Sequence, residues 1–368
     1  MGERNEAALK HLFGPAHLKR VADSLSGIHG AFDRRRYLGL MPALEPLEMK
    51  PRVRFLRDEL RRQLPGDYAK ALAILRRSAR ALKGFDLWPH CEFVQTYGLD
   101  HLEISLDALK ELTKAFTSEW AVRPFLRRYP KETLAFLEGC ARDEDAHLRR
   151  WASEGTRPRL PWGERLQEFV RDPGPTQPIL ERLKFDPEPY VRKSVANHLN
   201  DVSKDHPEFV VGVLTRWKGA AGREHEAKVD WIARRALRTL IKGGHAGALA
   251  LIGVSKGARV EVSEFTMARS RIKLGEALDF AFRIRSLSGR SQRLVVDYVI
   301  HFVKANAGTA PKVFKLKVVE LPAKGERTFA RSHRIKKITT RDYHSGRHVL
   351  ELQVNGVVLG TRAWVLEV

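Results

Sequence analysis

The spacing of apolar residues changes period near residue 257, and one uniform architecture cannot serve both periods. Before that point the period is helical. The run Val53-Arg-Phe-Leu-Arg-Asp-Glu-Leu-Arg-Arg-Gln-Leu64 sets Val53, Leu56, Leu60 and Leu64 on one stripe. Comparable patterns recur over 68–82, 105–116, 120–140, 146–154, 163–170, 178–183, 190–199, 208–217 and 227–241, separated by short breaks rich in Pro, Gly and Asp. After residue 257 the side chains alternate instead. Residues 277–285, 293–303, 313–319 and 348–354 read as half-buried strands. Asn355-Gly356, before an alternating run over 357–365, predicts a hairpin, because both residues tolerate the positive φ of a type I′ turn. About seven strands in roughly 110 residues predict an immunoglobulin-like sandwich.

The expected fold is therefore two-domain: an all-α region over 1–257 and an all-β immunoglobulin-like sandwich over 258–368, joined by a linker within 253–264. Within the helical part, Leu148-Arg-Arg-Trp-Ala152, Val191-Arg-Lys-Ser-Val195 and Ile232-Ala-Arg-Arg-Ala236 begin 43 and 41 residues apart. That period matches the helix pairs of a HEAT-like repeat solenoid, at about 40–47 residues.

Charge narrows the partner. The 368 residues carry 66 Lys+Arg against 44 Asp+Glu, a formal charge of +22. Residues 258–368 hold 21 and 10 of these, so half the excess lies on less than half the length. Such an excess favours a polyanion, most often nucleic acid. Arg34-Arg-Arg36, Arg61-Arg62, Arg76-Arg77, Arg127-Arg128, Arg149-Arg150 and Arg234-Arg235 each read singly as solvated helix faces; together they fit a groove that follows phosphates. No apolar run reaches membrane-spanning length, the N-terminus shows no secretory h-region, and two cysteines are too few for a disulfide framework. The expectation is a monomeric cytoplasmic protein with no membrane partner.

Motif by motif, most chemistries drop out. The sequence has no GxxxxGK[ST], HExxH, CxxC or GxSxG, and its 14 histidines are scattered, so neither a metal nor another cofactor is expected. Three acids stand out. Glu119 lies in Thr117-Ser-Glu-Trp-Ala-Val-Arg-Pro-Phe-Leu126. Glu154 lies in Trp151-Ala-Ser-Glu-Gly-Thr-Arg-Pro-Arg-Leu-Pro-Trp162, and Asp201 in Asn197-His-Leu-Asn-Asp-Val-Ser-Lys-Asp-His-Pro207. Each has an ordinary structural reading, Glu119 behind a Ser cap and the other two as helix-end acids. Trp120 and Trp162 read equally as core or lid residues.

These stretches, with Pro189-Tyr-Val-Arg-Lys-Ser-Val-Ala-Asn-His-Leu-Asn-Asp201, resemble the AlkC branch of the AlkC/AlkD alkylpurine DNA glycosylases, whose fold is a HEAT-like solenoid. Some AlkC-like proteins also carry an immunoglobulin-like domain. The resemblance implies hydrolysis of the N-glycosidic bond of N3-alkylated bases, chiefly 3-methyladenine and 3-methylcytosine, in double-stranded DNA. It maps Glu119, Glu154 and Asp201 to the active-site acids, which would stabilise an oxocarbenium ion and position water. It places Trp120 and Trp162 against the lesion, and Arg150, Arg157 and Arg159 on flanking phosphates. No lysine is clearly placed for a Schiff base, so a monofunctional enzyme is expected. Two rivals remain open from sequence: a non-catalytic binder of distorted or branched DNA, and a protein-interaction scaffold.

Overall fold

The computed structural model describes residues 9–254, 257–338 and 341–368. Helices occupy the chain to Leu251 and strands from Val260, so the class changes where the apolar period does. Two compact units are present, Met1–Asp205 and His206–Val368. The second unit thus contains both the sandwich and the helices Pro207–Ala220, Gly222–Ala236, Arg238–Lys242 and Ala246–Leu251.

In the first unit, local chemistry sets the helix starts. Asp33, Asp67 and Asp145 accept backbone N–H bonds from Arg36, Lys70 and His147 at 2.9, 2.8 and 2.8 Å. Proline stands in the first turn of Pro15–Ser26, Pro130–Cys140 and Pro189–Val202, where a missing N–H costs nothing. Pro130 also divides the helix expected over 120–140 into Arg123–Arg128 and Pro130–Cys140. Helix Ala146–Gly155 packs on Pro189–Val202, burying Leu148, Trp151 and Ala152 with Val191, Val195 and Leu199. These two helices carry the first two copies of the repeat read from the sequence.

Among the described residues of the second unit, eight strands form two sheets. One has the order β1-β3-β6, from Val260–Met267, Ala277–Ser286 and Glu326–Arg334. The other has the order β2-β8-β7-β4-β5, from Arg271–Lys273, Val357–Glu367, Gly346–Val354, Gln292–Val303 and Thr309–Leu321. Their inner faces share one core around Phe280, Phe282, Leu294, Val296, Tyr298, Leu350 and Trp364. The linker expected within 253–264 ends before Val260, because Val260–Ser263 pairs antiparallel with Arg283–Ser286. The Asn355-Gly356 turn forms as expected, with φ of 53° and 81°. Gly356 is required twice, since a Cβ there would also lie 2.2 Å from the Gly244 Cα.

Strand β4 is buried on both faces. Leu294, Val296, Tyr298 and Ile300 enter the sandwich core, while Val295 packs outward on Leu249 and Val254, with Ile241, Ile252 and Val318 around them. An apolar run, rather than strict alternation, is what such a strand requires.

Candidate active site

The polar residues of two packed helices lie on facing stripes. Arg150 and Glu154 are four residues apart on Ala146–Gly155. Tyr190, Ser194, Asn197 and Asp201 follow helical spacing on Pro189–Val202. Arg150, Glu154, Tyr190, Lys193, Ser194 and Asn197 line a cleft of about 220 Å³.

Two of these, Arg150 and Glu154, belong to a run in which acids and arginines alternate. Glu119 accepts from Arg150 Nη1, and from the Thr117 hydroxyl at 2.7 Å. Arg150 Nη2 lies 3.5 Å from Glu154 Oε1. Glu154 accepts from Arg157 Nη1 at 2.6 Å and from Ser194 Oγ at 2.6 Å. Arg157 Nε then donates to Asp201 Oδ2 at 2.8 Å. Three carboxylates and two guanidiniums thus form a chain. Glu119, Glu154, Arg157 and Asp201 are all buried, and Lys204, 3.3 Å from Asp201, stands partly in solvent at the far end.

The two glutamates titrate differently. Burial pushes the Glu119 carboxyl above its usual range, Glu154 adds to the rise, and Arg150 only partly offsets it. Burial acts on Glu154 as well, but Arg150, Arg157 and the Ser194 hydroxyl outweigh it and hold the group below its usual range. The surroundings favour the charged form of one acid and make its neighbour a stronger base, the pairing expected where carboxylates divide electrostatic and proton-transfer roles.

A fully buried arginine outside the expected set, Arg123, shapes the adjoining loop. Its guanidinium donates to the carbonyls of Gly155 at 2.9 Å, Arg157 at 2.8 Å and Glu164 at 2.9 Å, closing residues 155–164 around itself. Desolvation lowers its pKa to about 10. At the tip of that loop Trp162 has φ of 64°, a backbone conformation rare for a bulky residue. Its carbonyl accepts from Lys50 Nζ at 3.1 Å. Trp162 and Trp120 both stack on Trp88, with centroids 6.3 and 4.9 Å away, and Trp120 Nε1 donates to the Pro161 carbonyl at 3.0 Å.

Comparisons with known proteins bear on this arrangement. The family model for the C-terminal Ig-like domain of the uncharacterised protein YhaZ matches residues 261–368. The YhaZ protein of Bacillus subtilis (strain 168) is 37% identical over 356 residues, covering 96% of this chain and 97% of that one. A solved structure of the Pseudomonas fluorescens alkylpurine DNA glycosylase AlkC, bound to DNA containing an abasic site analog, matches with a TM-score of 0.91. It is 39% identical, over 98% of this chain and 99% of that chain. The chain belongs to the AlkC family of alkylpurine DNA glycosylases.

Within this AlkC-family chain, the three acids expected from sequence lie in one network. The three arginines expected on flanking phosphates each meet a carboxylate. Arg150 joins Glu119 to Glu154 and sits 5.4 Å from the Tyr190 ring. Arg157 is buried between two acids, and Arg159 is held by Asp205 through Nε at 3.1 Å and Nη2 at 2.8 Å. The buried acids Glu119, Glu154 and Asp201 draw Arg150 and Arg157 inward, while the Arg159–Asp205 pair is exposed. Sequence reasoning also missed Trp88, Tyr190 and Ser194. For Tyr190 and Ser194 a signal existed: they share a helical stripe with Asp201.

Proposed function

We propose that this chain hydrolyses the N-glycosidic bond of N3-alkylated bases, chiefly 3-methyladenine and 3-methylcytosine, in double-stranded DNA. The observation that carries the reading is the buried chain of three acids and two arginines beside an open cleft. An N3-alkylated base is cationic and already a good leaving group, so departure needs no general acid. What remains is to stabilise positive charge growing on the sugar and to aim a water at its C1′ carbon. Ionised Glu154 suits the first task, and the more basic Glu119 suits accepting a proton from that water. Fixed charges in a desolvated site act without reorganising, and general-base help adds about 10²–10⁴-fold.

In this reading Asp201 works through Arg157, holding its guanidinium against Glu154. Trp120 and Trp162 offer aromatic faces, which attract a cationic base. Arg150 and Arg157 serve the acids first, while the wider +22 excess supplies the grip on phosphates. The helical repeats read as HEAT-like, and the active form as a monomer acting alone. The AlkC of Pseudomonas fluorescens, solved with abasic-site DNA, supports a DNA duplex as the partner.

The test is chromatographic. Duplexes carrying 3-methyladenine, 3-methylcytosine or 7-methylguanine are incubated with the protein, and free base is quantified. Release of the two N3-methylated bases well above the uncatalysed rate, with intact abasic strands and no borohydride-trapped adduct, supports a monofunctional glycosylase. Release at the uncatalysed rate, with tight duplex binding, favours a non-catalytic binder of distorted DNA.

A further inference from the structure

The second compact unit contains a cavity remote in sequence from the acids of the first. It measures about 290 Å³ and lies between the outward face of β4–β5 and the helices that cover it. Ile241, Ile252, Val295 and Val318 give it apolar walls. Arg234, Arg238, Lys242, Arg293 and Lys315 supply five cations, and Asp297 is the one carboxylate among the lining residues.

Asp297 is unusual in its setting. It is 3% exposed, on a strand otherwise apolar from Leu294 to Ile300, and its Oδ1 has no hydrogen-bond partner. A bulge lies directly opposite. Val296 pairs with Lys317 and Asp297 with Lys315, so Leu316 is the extra residue, and its amide bonds the carboxylate. Bulges re-aim side chains and recur beside functional sites. Nearby Lys242 and Lys315 favour the charged carboxylate, yet burial still lifts its pKa to about 6.

These features select among ligands. A metal ion would meet five cations and one carboxylate. A bare phosphate would suit the cations but leave the apolar walls and Asp297 unused. A flat, partly apolar group bearing an N–H donor at one end and a phosphate at the other satisfies all three. We propose that this cavity binds one nucleotide whose base carries an exocyclic amine, the amine donating to Asp297, the base between the aliphatic walls and the phosphate on the cationic rim. Adenine, cytosine and guanine carry that amine; thymine offers only a ring N3–H, flanked by two carbonyl oxygens that repel a carboxylate. The nucleotide could be free or a unit of a DNA strand, since the chemistry recognised is the same.

The test uses the full chain and isothermal titration with deoxyadenosine, deoxycytidine and thymidine monophosphates, inorganic phosphate, and a five-residue oligodeoxyadenylate. Saturable binding of the first two, with thymidine monophosphate at least about tenfold weaker, is expected, since a lost hydrogen bond to a charged group accounts for that ratio. Asp297→Leu, which substitutes an apolar side chain of similar size, should reduce the ratio to near one. Lys315→Gln, on the exposed rim, should weaken all three mononucleotides several-fold without changing the ratio, and it remains informative if Asp297→Leu fails to fold. Oligonucleotide binding that is tighter than the monomer and lost in Asp297→Leu identifies a strand as the source; equal affinity identifies the free nucleotide. Equal affinity for the adenine and thymine compounds, phosphate binding as tightly as nucleotide, or no saturable binding would overturn the proposal. No damaged base or excision enters the assay, so its failure is separate from failure of the glycosylase reading.

Discussion

Arg157 meets Asp201 through two nitrogens, Nε and Nη2, each 2.8 Å from the same carboxylate oxygen, Oδ2. The pair is buried and ties the loop after one helix of the cleft to the end of the other. Arg157 keeps Glu154 if Asp201 is truncated, so the loss is that of a buried, charge-assisted acceptor, which costs about 1–3 kcal/mol. Asp201→Ala should lower the free energy of unfolding by roughly that amount in urea, and Asp201→Asn by clearly less, because the amide oxygen still accepts. Equal, small losses in both variants would show that the pair contributes little.

The pH dependence of excision should follow the carboxyl that burial has made more basic. Glu119 titrates above the usual glutamate range, and as a base it must be ionised. The acid limb of kcat/KM should therefore lie above the ordinary glutamate value, with activity falling as pH drops through it. A limb at or below that value would exclude Glu119 as the base.

Stability should fall with acid for a different reason. His198 is fully buried, and burial lowers its pKa to about 4, although the Ser153 carbonyl 3.0 Å from Nδ1 favours the charged form. The unfolded chain takes up this proton near pH 6.5, the native chain only near pH 4. Between those values the unfolded state binds more protons, so stability is lost as pH falls, by about 1.4 kcal/mol per pH unit for one such group. Urea unfolding from pH 7 to 4.5 should show His198→Gln with a shallower slope than the parent. An unchanged slope would place the titration elsewhere.

Residues 258–368 should not be separable from the helices before them without penalty. Ending the chain at 257 removes Val295 and Val318, against which Leu249, Val254, Ile241 and Ile252 pack. That shorter chain should self-associate and lose helix at lower temperature than a chain ending at Asp205, by size-exclusion chromatography and circular dichroism. Matching behaviour would place the boundary at the change of secondary structure instead.

Much of this architecture was legible in the sequence because it is set by local pattern. Strand alternation over 277–285 and 348–354, and the Asn355-Gly356 turn, follow from neighbouring residues alone. The acids were legible through the resemblance carried by residues 117–201. Their partners were not, because a guanidinium's destination depends on pairings across the fold. Arg157 reaches a residue 44 positions away and Arg159 one 46 positions away. Strands β1, β2 and β6 escaped individual reading for a related reason. In β6 only Phe329 is buried while charged side chains stand outward, so its apolar signal is too sparse to read. The split of the second unit at His206 was hidden as well, since the helices over 207–251 look like the ones before them until Val295 is seen beneath them.

The most direct test of the account is single-turnover release of 3-methyladenine by Glu154→Gln and Glu119→Gln, measured with their affinity for an undamaged duplex. The amides keep the size and most hydrogen bonds of the acids but remove the charge and the base. Each variant should lose about 10²–10⁴-fold in rate, with duplex affinity within a few-fold of the parent. Excision at the parental rate in either variant would contradict the account, because the buried chain of charge would then be holding the helices together and no more.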